Sequence, residues 1–273
     1  MKKILLAFDN IHFSEGAFEF ARRLNELQPI LLTGIFMPQA RLANLWSYAT
    51  SISLASVPQI ENVEDSDIQL NIQRFEKLCI RNNINFRVHK DFYNLVLPEL
   101  KNESLFADVL ILGSEIFYET MDTQVPNDFL QEAFHHAKCP VIVVPENFEF
   151  PEINILAYDG SDDAVFAIKQ FAYLFPELAN RETLLVFASE DSDKDFPDKI
   201  QLEELVARHF SNLILMKLDV NPKKYFSSWI LEKKSAMLIS GSYGRSGLSQ
   251  LFKKSFVKEV IAAHKLPVFI AHS

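Results

Sequence analysis

The chain has 273 residues, 48% of them hydrophobic, and a formal net charge of -9 at pH 7. It is apolar enough to bury a substantial core, and its length suits one large domain or two small ones. The acidic balance argues against general nucleic-acid binding, no apolar run reaches the ~18 residues of a membrane span, and Asp9 arrives too early for a secretory signal's apolar core. A cytoplasmic protein without a membrane or nucleic-acid partner is the expectation.

In chain order, short Val/Ile/Leu-rich runs alternate with helix-length segments, the pattern of parallel sheet covered by helices on both faces. The first half predicts strands near 2–8, 29–36, 84–89, 108–112 and 141–144, with helices near 13–27, 65–82, 94–104 and 127–138. An insertion between Phe36 and Ile68 carries Trp46 and Tyr48, which suit a cover over a site or over the sister half, or plain packing. "PENFEFPE", Pro145 to Glu152, reads as a linker. The second half predicts strands near 153–158, 182–188, 212–218, 236–240 and 267–271, with helices near 162–174, 196–209, 223–234 and 249–264.

The second half repeats the first. "LAFD" ending at Asp9 returns as "LAYD" ending at Asp159, each closing an apolar run before a helical pattern. The endings match as well: a strand stopping in Gly-Ser (Gly113-Ser114, Gly241-Ser242), a helix-length interval, then Pro140 or Pro267 opening a last apolar run. Proline costs little at the first position of a strand. The expectation is two tandem domains, residues 1–148 and 149–273.

Cys79 and Cys139 have no CxxC spacing and read as buried structural thiols. Adjacent His135 and His136 point to different helical faces, and no fourth ligand accompanies them and Cys139, so no metal site is expected. From Gly241 to Ser273 the local charge reverses: Arg245, Lys253, Lys254, Lys258 and Lys265 stand against Glu259.

With "AFDN", "AYDGS", "LLTGIF", "LLVFAS" and above all "GSYGRSGLSQLFKKSFVKEVIAAHKLPVFIAH", the sequence resembles the universal stress protein family in its tandem two-domain form, over nearly the whole chain. The resemblance implies an α/β fold of two Rossmann-like domains. Each would be an open five-stranded parallel sheet of order 3-2-1-4-5 with flanking helices, and the last strands would meet antiparallel as an internal pseudo-dimer. In nucleotide-binding members the last motif is Gly, two residues, Gly, nine residues, Gly, then Ser or Thr. Here those positions hold Gly241, Gly244, Lys254 and Ser255; in the first half they hold Gly113, Ile116, Pro126 and Asn127. The resemblance thus implies an adenine nucleotide in the second domain, ATP first and with Mg as its companion ion, and a degenerate first domain. It also implies that Asp159 approaches the nucleoside and that the backbone from Phe187 onward meets the base.

The residues themselves support a phosphate loop: Gly241 and Gly244 follow a strand's carboxyl end, Arg245 supplies charge, and Ser246, Ser249 and Ser255 supply hydroxyls. A turn-rich connection capped by Ser249 is the competing reading. Asp159 equally suits the N-cap of the following helix. Lys254 either pairs with phosphate or fills its volume. His264 fits a helix C-terminus, and Glu259 a surface acid. No carboxylate base serves phosphate hydrolysis, so no catalytic residue is assigned. A regulatory stress-response module stands first, a nucleotide-independent scaffold second and a slow ATPase third. A homodimer or a protein partner stays open.

Overall fold

The computed structural model describes residues 1–9, 12–37, 65–89, 96–115, 137–189, 191, 193, 195–219, 222–241 and 256–272. Ten strands run through them: β1 (Lys2–Asp9), β2 (Ile30–Met37), β3 (Asn85–His89), β4 (Val109–Gly113), β5 (Val141–Val144), β6 (Ile153–Tyr158), β7 (Glu182–Ser189), β8 (Asn212–Asp219), β9 (Ala236–Gly241) and β10 (Val268–Ala271). The described helices are α1 (Glu15–Leu27), α2 (Asp65–Arg81), α3 (Val96–Leu105), α4 (Asp162–Leu174), α5 (Pro176–Ala179), α6 (Lys199–His209), α7 (Pro222–Leu231) and α8 (Phe256–Ala262).

All ten strands form one sheet of order β3-β2-β1-β4-β5-β10-β9-β6-β7-β8. Counted inward from either edge, the chain order is third, second, first, fourth, fifth. Every neighbouring pair is parallel except the central one, where Phe269 of β10 lies opposite Ile142 of β5 in an antiparallel ladder. This pairing covers the edge that each group of five would otherwise expose.

Alternation along the strands splits the core into two layers. Ile4, Leu6 and Phe8 point into the layer filled by α1, α2, α4, α5 and α6, while Leu5 and Ala7 point into the layer filled by α3, α7 and α8. The same division holds for Leu156 and Tyr158 against Ile155 and Ala157 in β6. Helix starts follow from local chemistry: Ser14 and Ser161 are the N-caps of α1 and α4, each accepting from the backbone N–H three residues on. Acids follow both caps, Glu15 in α1 and Asp162 and Asp163 in α4, where the helix dipole favours negative charge.

Strand positions agree with the sequence expectation to within one residue, and the helices need correction at their ends. Ala137 and Lys138 are not helical, because Cys139 must be extended to enter Pro140 and β5; the rest of 127–138 lies outside the described residues. α6 starts at Lys199 rather than 196, after Pro197 and a left-handed Asp198 (φ 45°). α7 ends at Leu231, and Ser235 turns the chain into β9 with φ 47°. α5, opened by Pro176, was not anticipated. Trp46 and Tyr48 lie outside the described residues.

The segment 145–152 grips both sides of the central ladder. Phe148 and Phe150 pack on Phe20 of α1, at 5.7 and 5.3 Å between ring centres. The Phe150 ring also takes Arg23 of α1 at 4.9 Å and Arg181, from the turn before β7, at 5.3 Å. Arg181 donates back to the Pro151 carbonyl. One aromatic ring thus carries a guanidinium from each half of the sheet.

Candidate functional site

In a doubly wound sheet, ligands bind outside the carboxyl ends of strands where the winding reverses. In the second half that point lies between β6 and β9, because the chain leaves β6 towards β7 and β8 and then returns to β9 on the other side. Asp159 directly follows β6, Gly241 ends β9, and Phe187 stands two residues before the end of β7. The fold therefore brings these three sequence candidates to one edge on adjacent strands. Gly244, Arg245, Ser246, Lys254 and Ser255 lie outside the described residues, as does Ser249.

Asp159 is not the helix N-cap. Its Oδ1 accepts from the Ser161 backbone N–H at 2.9 Å and from the Ser161 hydroxyl at 2.6 Å; Ser161 Oγ in turn accepts from the Ala164 N–H at 3.2 Å. Gly160 makes this arrangement possible with φ 85°. Among the described residues the acid thus spends one oxygen on the turn and leaves the other for a further partner.

Gly241 has a packing reason that is independent of any ligand. A Cβ there would lie 2.6 Å from both the Ala164 nitrogen and the Asp163 carbonyl carbon, so β9 ends directly against the first turn of α4. That first turn carries Asp162 and Asp163 beside Asp159, which disfavours an anion there.

Two features of this edge were not read from the sequence. The Tyr158 hydroxyl donates to the Pro197 carbonyl at 2.9 Å, and the Phe196 ring packs on Phe187 at 5.5 Å. A Cβ on Gly160 would lie 2.8 Å from Pro197. Residues 196 and 197 therefore sit on the carboxyl ends of β6 and β7. Burial raises the Tyr158 phenol above its ordinary pKa, with the charges of Asp198 and Asp159 acting the same way. A bulky aromatic before a proline ahead of α6 was the available signal.

The first half treats its own edge differently. Glu146, just past β5, reaches the start of α1: its Oε1 accepts from the Ser14 hydroxyl at 2.5 Å and its Oε2 from the Gly16 N–H at 2.9 Å. Both oxygens of Glu115 are 3.0 Å from the Glu146 N–H, which donates to them, and the Ser114 hydroxyl donates to Oε2 at 2.8 Å. His264, in the turn after α8, brings Nδ1 to 2.6 Å from Ser114 Oγ and 3.7 Å from Glu115 Oε1. With the serine proton given to Glu115, Nδ1 is the donor to Ser114. His264 thus tethers the second half to the first, where the sequence suggested only a helix end. The exposed Glu259 accepts from Ser227 of α7 at 2.5 Å, which ties α8 to α7.

Where a bound anion would meet α1 the protein supplies its own carboxylate, and the side chain of Asp9 lies outside the described residues. Among the described residues no cluster of three His, Cys, Asp or Glu side chains is placed to hold a metal ion, and no helix is long and apolar enough to cross a membrane.

This architecture is the universal-stress-protein-like fold in a tandem layout. The structure of a universal stress protein from Archaeoglobus fulgidus DSM 4304 aligns with 99% of this chain and 96% of its own length, at 16% identity and a TM-score of 0.65. A putative universal stress protein from Pseudomonas aeruginosa UCBPP-PA14 aligns with 100% of this chain and 93% of its own, at 10% identity and a TM-score of 0.56. The cytoplasmic domain of a prokaryotic cation chloride cotransporter aligns with 98% of this chain and 94% of its own, at 12% identity and a TM-score of 0.51. At these identities the likeness is one of fold. No family model and no curated protein sequence matches the chain.

Proposed function

We propose that the chain is a regulatory nucleotide-binding module of two domains, 1–148 and 149–273, in which the second holds one adenine nucleotide, ATP for preference, and the first holds none. The free oxygen of Asp159 takes the nucleoside, and the backbone beyond Phe187 takes the base. Gly241, Gly244, Arg245, Ser246, Lys254 and Ser255 take the phosphates, with Mg as counter-ion. The observation that carries this reading is the convergence of Asp159, Phe187 and Gly241 on adjacent strands at the point where the winding reverses. The Glu146 carboxylate on α1 favours a first domain closed to a second equivalent.

Since packing against α4 accounts for Gly241, the discriminating residues are Gly244 and Lys254. Calorimetric titration with ATP and with AMP should give one equivalent for the wild type. Gly244→Val should lose binding by crowding the loop. Lys254→Ala should weaken it about tenfold or more if the ammonium pairs with phosphate, and strengthen it if the side chain fills the site. A wild type that binds neither nucleotide overturns the proposal.

A scaffold without nucleotide is the second reading, favoured by the packing of Phe196 and Pro197 over the β6–β7 edge. The likeness of fold to the cytoplasmic domain of a prokaryotic cation chloride cotransporter supports it too. Under this reading the sheet edges and helical faces receive a protein partner or a second copy.

A further inference from the structure

We infer that residues 195–198 form a strap over the base end of the second-domain site, with Phe196 as its cover and Tyr158 as its latch, so that a nucleotide base enters by lifting Phe196 off Phe187. The inference rests on the nucleotide reading and adds a gate to it.

Three contacts hold the strap down, and each comes from a different strap atom. The Pro197 carbonyl accepts from the Tyr158 hydroxyl at 2.9 Å, the Phe196 ring lies 5.5 Å from that of Phe187 at an interplanar angle of 41°, and the Pro197 ring sits over Gly160 so closely that a Cβ there would lie 2.8 Å from it. Tyr158 and Phe187 are themselves buried and paired across β6 and β7, so they form a fixed floor. The strap is less firmly built. Phe196 is only partly buried, and Asp198 holds a left-handed φ of 45° at the entry to α6 without giving that helix a side-chain cap. Asp195 accepts from the Phe196 N–H at 2.8 Å and pairs with Lys199 at 3.0 Å, so the strap is braced largely within itself and against the start of α6.

The β6–β7 ladder ends at Tyr158 and Phe187, whereas β7 continues to Ser189 alongside β8. The backbone of residues 188 and 189 on the β6 side therefore has no partner in that ladder. A planar base with a donor and an acceptor on one edge suits those groups, and the strap stands over them.

Tyr158→Phe removes the latch and keeps the ring; Phe196→Ala removes the cover and leaves the latch. Stopped-flow association of methylanthraniloyl-ATP should be about fivefold faster or more in both variants, the scale of one lost hydrogen bond or ring contact. Amide exchange across residues 196–202 should also speed up in Tyr158→Phe, with the strands unchanged. Probe binding with unchanged or slower association in both variants overturns the strap. If neither wild type nor variants bind the probe, the nucleotide reading fails and exchange alone decides: faster exchange confined to 196–202 upholds the latch, and unchanged exchange overturns it.

Discussion

A Cβ on Gly241 would stand 2.6 Å from the backbone nitrogen of Ala164, well inside any real carbon contact. Neither partner is the end of a flexible side chain, so β9 or α4 must shift. Gly241→Ala is therefore expected to lower stability by roughly 1–3 kcal/mol, the scale of overpacking. Urea unfolding of the variant without nucleotide reads the effect. An unchanged midpoint would return Gly241 to a purely ligand-facing role.

Glu146 fastens the connecting segment to α1 through Ser14 and Gly16. Glu146→Ala should cost roughly 1–3 kcal/mol, since charge-assisted bonds at a helix start are lost. Glu146→Gln should cost less, because its amide oxygen still accepts one of the two. The order of the two denaturation midpoints checks the assignment.

Asp159 separates turn from ligand. Asn retains the oxygen that accepts from Ser161, so Asp159→Asn should leave stability within about 0.5 kcal/mol, whereas Asp159→Ala should lose about 1 kcal/mol. If the free carboxylate oxygen holds the nucleoside, titration of Asp159→Asn with ATP should show binding weakened about tenfold. Equal binding by wild type and Asp159→Asn would confine the acid to the turn.

Burial pushes the thiols of Cys79 and Cys139 up from 9.0 to about 12. Both should resist a thiol-specific disulfide reagent at pH 8 in the folded protein and react together on unfolding. Because the folded pKa is the higher, their contribution is fully present below pH 9.0 and is lost as pH rises from there towards about 12. A burst of labelling without denaturant would contradict this.

The sequence shows most strands because they are short apolar runs bounded by polar residues, and "VIVV" of β5 or "AMLIS" of β9 has little else to become. Helix ends were less legible. Asp159, Gly160 and Ser161 all suit a helix start, and only the turn at Gly160 decides that Ser161 is the cap. Asp159 and Phe187 came from the family resemblance, and Gly241 from the resemblance together with its place after an apolar run; strand ends explain why the three share one edge of the sheet. Glu146 and His264 act through partners 31 to 150 residues away along the chain, and Phe196 through one nine residues away; no periodicity records such meetings.

The antiparallel ladder of β5 and β10 joins both groups of five strands in one sheet, and residues 145–152 join them in one covalent chain. In a pair of identical subunits every substitution would occur twice, and a carboxylate that fills one helix start would fill the other. Covalent linkage lifts that symmetry. Glu146 closes α1 in one half while α4 keeps Ser161, Asp162 and Asp163, so each edge can change its chemistry without dictating that of its neighbour.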